Sequence, residues 1–388
     1  MIPPNSTTPS VTIFAARTWG RIGNFAAAKN VQTHLLAHTG AEAVLVAFEE
    51  MWPRFAEFGA AMRDAARETC PTHTARLFAA IMAEVDDHLR RMLAGDPSDE
   101  YRGIEQRLVQ MLQQQRPAVV ISTKGVITQL LAVVRERHRL PFRLVNWITN
   151  TGLLDLGCHQ ARQADLHVVP SADARGKVLA WGVGERPVLI AGPVIRFAPE
   201  TALPVAPQAA ALPLCVAYFH NVNAAVVAQL ELLLARCPAR IHAIVPLSAQ
   251  AAAAPLVALQ ARHEGRLAVH GELSQQAFHG LLKSLKQTQG VFIAKSGPNT
   301  MFEAVAMNIP FVLYRSGLPQ EDWVLDYIEQ QQIGGRAEEI GMIAARALAL
   351  LSAPDEQALH LQKQRALWRA LAADCQPPAI LYPLLLAA

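Results

Sequence analysis

Charge is scarce in this chain, and neither sign dominates. Only 17% of the 388 residues are charged, and the formal net charge is +3 with histidine neutral. Nucleic-acid binding needs a basic stripe, so no nucleic-acid partner is expected. The densest basic cluster, RERHRLPFR at 135–143, reads as a solvated helix end favoured by the helix dipole, with contact to an anionic surface as the alternative. Cysteine is sparse too. Cys70, Cys158, Cys215, Cys237 and Cys375 are odd in number and show no CxxC spacing. They read as buried reduced thiols of a cytosolic protein, not as a disulfide or zinc framework. No His/Cys/Asp/Glu cluster has metal-ligand spacing, so no metal site is expected, and neither a GxSxG elbow nor a P-loop occurs. No apolar run is long enough to span a bilayer, and no secretory leader is expected from MIPPNSTTPSVTIFAARTW.

What is present is apolar, alternating and long enough for two cores. Hydrophobic residues make up 52% of the chain, and its length exceeds that of a usual single domain. Strands are expected at 11–16, 41–48, 118–123, 142–149, 164–171 and 188–195, with helices between them. The segment 49–116 reads as helical, with Pro53 and Pro71 as breaks. FAPETALPVAPQAAALP (197–213) is rich in Pro and Ala without periodicity and reads as a linker. Strands recur at 214–220, 241–247, 266–273 and 291–294, and 336–371 reads as helical around Pro354. Strand-helix alternation in two halves predicts an α/β protein, two doubly wound Rossmann-like parallel sheets facing a cleft. The expected domains are 1–196 and 214–356, joined by a linker at 197–213. Residues 357–388 read as a helix and an apolar tail, with the amphipathic tail of a peripheral protein as the alternative.

The most informative stretch is VFIAKSGPNTMFEAVAMNIPFVLYRSGLPQED (291–322). Val291 to Ala294 read as a strand covered on both faces, and Ser296, Gly297 and Pro298 turn the chain. Thr300 is expected to cap a helix carrying Glu303 in its first turn. Such a helix start, with unspent N–H groups and a positive dipole end, suits a phosphate or a sugar hydroxyl. The bland alternative is a strand-turn-helix in which Glu303 merely caps.

This order of Lys, Gly, Thr, Glu, Pro and Gln-Glu resembles the donor segment of GT-B glycosyltransferases of the monogalactosyldiacylglycerol synthase, processive diacylglycerol glucosyltransferase and MurG group. The resemblance implies a GT-B fold and an inverting, metal-independent transfer from a UDP-sugar donor to a hydroxyl of a lipid or small-molecule acceptor. The nucleotide sugar is a substrate, and no cofactor is implied. Glu303 would hold the ribose, Lys295, Ser296, Gly297, Pro298, Asn299 and Thr300 would form the turn facing the diphosphate, and Gln320 and Glu321 would touch the sugar. Gly192-Pro193-Val194-Ile195-Arg196 resembles the end of the family's first half, which would set Arg196 near the diphosphate. A hinge salt bridge is the other reading of Arg196. A cytoplasmic location follows, with contact to the inner face of a membrane left open.

The chain also departs from that pattern. In the loop after the first strand, Gly20, Arg21 and Gly23 match an acceptor loop, but Asn24 stands where the family has histidine. An amide cannot accept a proton at neutral pH, so Asn24 would only orient the acceptor. Asp155 and His159, in a loop expected to open into the cleft, are the candidate base pair, with His159 near neutral pKa; a hydrogen-bonded loop pair is the alternative. The turn His220-Asn221-Val222-Asn223 lacks the family's glycines, leaving the Asn221 amide as donor, and Val324 stands where asparagine is common. Two rival functions therefore stay open: a catalytically altered GT-B protein that only binds a nucleotide or partner, and a nucleotide-sugar epimerase or hydrolase.

Overall fold

The computed structural model describes residues 9–18, 23–65, 71–150, 152, 154, 157–193, 195, 212–219, 222–245 and 253–387. The chain divides into two units, Met1–Val194 with Leu371–Ala388, and Ile195–Ala370. The expected alternation of strand and helix is seen in both.

In the first unit β1 (Val11–Ala15), β2 (Ala43–Ala47), β3 (Val119–Ser122), β4 (Arg143–Trp147), β5 (Leu166–Val169) and β6 (Val188–Ile190) form a parallel sheet in the order β2-β1-β3-β4-β5-β6. Side chains alternate across it. Phe14, Val46, Val120 and Leu144 face α2 (Pro53–Ala65), α3 (Pro71–Ala94), α4 (Asp99–Gln115) and α5 (Gly125–His138). Ile13, Ile121, Val145 and Trp147 face α1 (Gly23–Thr39) and the closing helix α14 (Pro378–Leu386). The breaks at Pro53 and Pro71 fall at helix starts, where a missing N–H costs nothing. A further helix, α6 (Ala172–Ala180), lies between β5 and β6 in sequence.

The second unit places β7 (Leu214–Tyr218), β8 (Arg240–Ile244), β9 (Leu267–His270), β10 (Val291–Lys295), β11 (Phe311–Tyr314) and β12 (Gly335–Ala337) in the order β12-β11-β10-β7-β8-β9, all parallel. The helices are α7 (Ala224–Arg236), α8 (Ala254–Arg262), α9 (Gln275–Thr288), α10 (Pro298–Met307), α11 (Trp323–Gln331), α12 (Ile343–Leu351) and α13 (Pro354–Asp374), and the chain re-enters the first unit at Leu371 within α13. β12 corrects the helical reading of 336–371. Three residues are too few to carry a period, and Gly334 and Gly335 let the strand lie against Phe311 and Val312.

Strand order fixes where ligands belong. In an open α/β sheet they bind beyond the carboxyl ends of the strands, where the order reverses. In the second unit that point lies between β7 and β10, and in the first between β1 and β3.

Candidate functional site

At the β7/β10 switch point the chain leaves β10 at Lys295, turns through Ser296 and Gly297, and enters α10 at Pro298. Ser296 is wholly buried: its N–H donates to the Tyr314 carbonyl at 2.8 Å, and its Oγ accepts from the Ser316 N–H at 3.2 Å. The turns after β10 and β11 are thereby pinned together. Gly297 makes the tight bend, donating to the Lys295 carbonyl at 2.7 Å, and it, not Thr300, is the N-cap. Proline at the first helical position sets the helix start three residues earlier than a Thr300 cap would. Glu303 consequently sits in the second turn. It is 3% exposed, among the apolar side chains that α10 buries. The first turn bears no acidic residue and no side-chain cap, and its N–H groups at Asn299 and Thr300 have no carbonyl within the helix to bond.

The loop after β11 brings its acid to the turn. Lys295 Nζ lies 2.7 Å from each carboxylate oxygen of Glu321, which is 8% exposed. Arg315 ties the same loop down, donating at 2.7 Å to Asp322 and at 2.7 Å to Glu338. Gln320 is half-buried beside Glu321, and its Oε1 is shielded from solvent with no hydrogen-bond partner. Trp323 Nε1, which sequence reasoning passed over, is shielded and unpartnered in the same way. Val324 is fully buried, so it offers no polar group where the family resemblance suggested an amide. Asn223 caps α7 by accepting from the Val226 N–H at 3.0 Å. Asn221 and Arg196 lie outside the described residues.

In the first unit, Asn24 stands in the first turn of α1. Its Oδ1 accepts from Thr149 Oγ1 at 2.6 Å and its carbonyl from Thr123 Oγ1 at 3.4 Å. Asn24 therefore joins the carboxyl ends of β3 and β4 at the switch point. Gly23 opens the same helix, while Gly20, Arg21 and Asp155 lie outside the described residues.

His159 corrects the expectation of a near-neutral imidazole in an open loop. It sits on a single turn, Gly157–His159, pressed onto the start of α5, where a Cβ on Gly125 would overlap the His159 backbone. It is 6% exposed, and burial first, then the Lys124 charge, holds its pKa well below the ordinary value. Lys124 is buried as well, which lowers its pKa to about 8, and burial raises Cys158 to about 11. Buried apolar surroundings disfavour every charged form here.

A carboxylate absent from the sequence expectations lies at the carboxyl ends of β1 and β2. Glu49 Oε1 accepts from both the N–H and the Oγ1–H of Thr18, each at 2.7 Å, while Oε2 is buried without a partner. Gly59 on α2 makes room for Thr18, since any Cβ there would overlap the threonine. Nothing in the local spacing of FEEMW signals this; it emerges only when β1, β2 and α2 come together. Among the described residues, no group of three or more His, Cys, Asp or Glu could hold a metal, and no helix is long and apolar enough to cross a membrane.

No protein-family model matches this chain, and no curated protein does. Solved structures match along its whole length. The lipopolysaccharide outer core galactosyltransferase WaaB is 12% identical, with 97% of this chain and 98% of that one covered at a TM-score of 0.51. UGT89C1 of Arabidopsis thaliana is 10% identical, with coverage of 98% and 100% and a TM-score of 0.60. A UDP-glucosyltransferase from Polygonum tinctorium capable of glucosylating indoxyl is 14% identical, with 98% of each chain covered and a TM-score of 0.61. UGT89C1 has also been solved with UDP, with UDP-L-rhamnose and with quercetin. At such identity the likeness establishes the fold: two parallel-sheet units of the GT-B type.

Proposed function

We propose that this protein is an inverting glycosyltransferase of the group resembled by its donor segment, moving a sugar from a UDP-sugar to a hydroxyl of a lipid or small-molecule acceptor. The observation that carries the reading is the β10–α10 turn at the switch point, with Lys295 and Glu321 joined and an uncapped helix start beside them. The N–H groups of Asn299 and Thr300 receive the diphosphate, where the helix dipole opposes the charge that grows as UDP leaves. Glu303 takes the ribose hydroxyls, and Gln320 and Glu321 take the sugar. In the first unit the acceptor lies over Asn24, and the free oxygen of Glu49 accepts the proton of the attacking hydroxyl. Thr18 fixes the carboxylate for that task, and His159, buried and held unprotonated, keeps a packing role. The acceptor oxygen bonds to the anomeric carbon as the bond to UDP breaks, and the proton passes to Glu49.

A second reading, nucleotide binding without transfer, is favoured by the amide at position 24. Calorimetry with UDP, followed by UDP-release assays with UDP-glucose and UDP-galactose over a panel of phenols and diacylglycerol, separates the two. Binding with acceptor-dependent release supports transfer, and binding without release supports the second reading. No binding of UDP overturns both.

A further inference from the structure

The last helix keeps an apolar face in solvent. From 377 to 388 the chain, PPAILYPLLLAA, has no charged residue and one polar side chain, Tyr382. Helix α14 turns Leu381, Tyr382 and Leu385 inward, and the Tyr382 ring stacks on His34 and His38 of α1 and on Trp147 of β4, at 5.5, 5.6 and 6.0 Å. That docking fixes which side faces out. Ile380 and Leu384, one turn apart, are 51% and 40% exposed, and Pro383 and Ala387 on the same side are exposed as well. A surface helix ordinarily sets polar residues on its outer face. This one sets none, so the face suits an apolar partner.

The charge beside it says which. Arg143, at the start of β4, donates to the carbonyls of Leu384 and Ala387, so the basic run 135–143 is joined to the end of α14, 241 residues away. Within that run Arg135 is spent on Asp165, and Arg137 and His138 on Glu105. Arg143 and Arg139, the exposed cap that ends α5, meet no carboxylate among the described residues. Arg116, exposed at the end of α4, lies at the same edge of the sheet, two residues before the Ala118 carbonyl that accepts the Arg143 N–H at 2.9 Å.

We propose that α14 rests on an anionic lipid surface, with Ile380 and Leu384 entering the boundary of the acyl chains and Arg116, Arg139 and Arg143 meeting the headgroups. An apolar helix face flanked by arginines lies in that interface. At nine residues the helix is too short to cross a bilayer. A second copy of the chain fits less well, since it would bring the same arginines and a tail with no carboxylate between 375 and 388 to meet them. The inference stands apart from the UDP-sugar reading.

The test is co-sedimentation of the full chain, without nucleotide, with vesicles of phosphatidylcholine alone or with about one-third phosphatidylglycerol. Wild type is compared with Arg139→Gln and with the double variant Ile380→Asn/Leu384→Asn. Wild type pellets with the anionic vesicles and stays in solution with the neutral ones. Arg139→Gln weakens that partition roughly fivefold, and the double variant weakens it by at least about tenfold. Both variants keep the wild-type urea midpoint, because the replaced side chains are exposed. Three results overturn the inference. Wild type that stays in solution with both vesicles has no lipid surface to meet. A folded double variant that pellets like wild type places the lipid contact elsewhere. A wild-type dimer that the double variant dissolves, with no vesicle binding, gives the face to a second copy. Arg139→Gln carries the test should the double variant fail to fold.

Discussion

Replacing Lys295 with methionine keeps an unbranched side chain one atom shorter and removes the charge from Glu321. The ammonium lies 2.7 Å from both carboxylate oxygens, with the two side chains 20% and 11% exposed. Removing one partner of a buried pair costs about 3–5 kcal/mol, because the other charge is left unpaired. With a fifth of Lys295 in solvent, the lower end applies, and Lys295→Met is expected to destabilise the second unit by about 3 kcal/mol. The double variant Lys295→Met/Glu321→Leu leaves no orphaned charge, so part of the loss returns, giving a coupling of at least about 2 kcal/mol. Urea unfolding followed by tryptophan fluorescence reads this, since Trp323 sits two residues from Glu321 and reports on the loop. A cost for Lys295→Met below about 0.5 kcal/mol, the level of an ordinary surface change, would refute the reasoning.

Three other outcomes are expected. Glu303→Gln weakens UDP binding by about ten- to a hundredfold while leaving the unfolding curve in place, because a charge-assisted hydrogen bond becomes neutral; unchanged affinity in calorimetry removes it from the ribose site. Glu49→Gln lowers transfer to an alcohol by at least about a hundredfold, has little effect on transfer to an already ionised nitrophenol, and leaves UDP affinity alone; an equal loss with both acceptors contradicts a base role. Burial in β5, reinforced by Arg186, lowers the His167 pKa from 6.5 to about 4. The unfolded chain therefore takes that proton first. Stability from this group is complete above about pH 6.5 and is lost as pH falls towards 4, by roughly 3 kcal/mol. Urea midpoints at pH 7.5 and 4.5 measure this, and a His167→Gln variant with the same acid loss would refute it.

The fold was legible wherever apolar runs met turn residues. VFIA followed by SGPN gave β10 and its turn, because an apolar run ends there in residues that favour a bend. β12 was lost because Gly335-Arg336-Ala337 has no pattern to read and is held by pairing with β11. Within the site, Lys295 and Glu321 were named for the ligand, but their bond to each other depends on two loops 26 residues apart. His159 was misjudged because its spacing from Asp155 carries no information about Gly125, whose missing side chain lets the turn sink onto α5. Glu49 and Trp323 were invisible for a related reason. An unpaired buried atom is a property of everything packed around it, and no local motif encodes that.

The most direct measurement is a crystal structure of the full chain with UDP. The account predicts diphosphate oxygens about 2.7–3.1 Å from the N–H groups of Asn299 and Thr300, with a ribose hydroxyl on the Glu303 carboxylate. A nucleotide bound elsewhere on the second unit, or a diphosphate turned away from the start of α10, would contradict it.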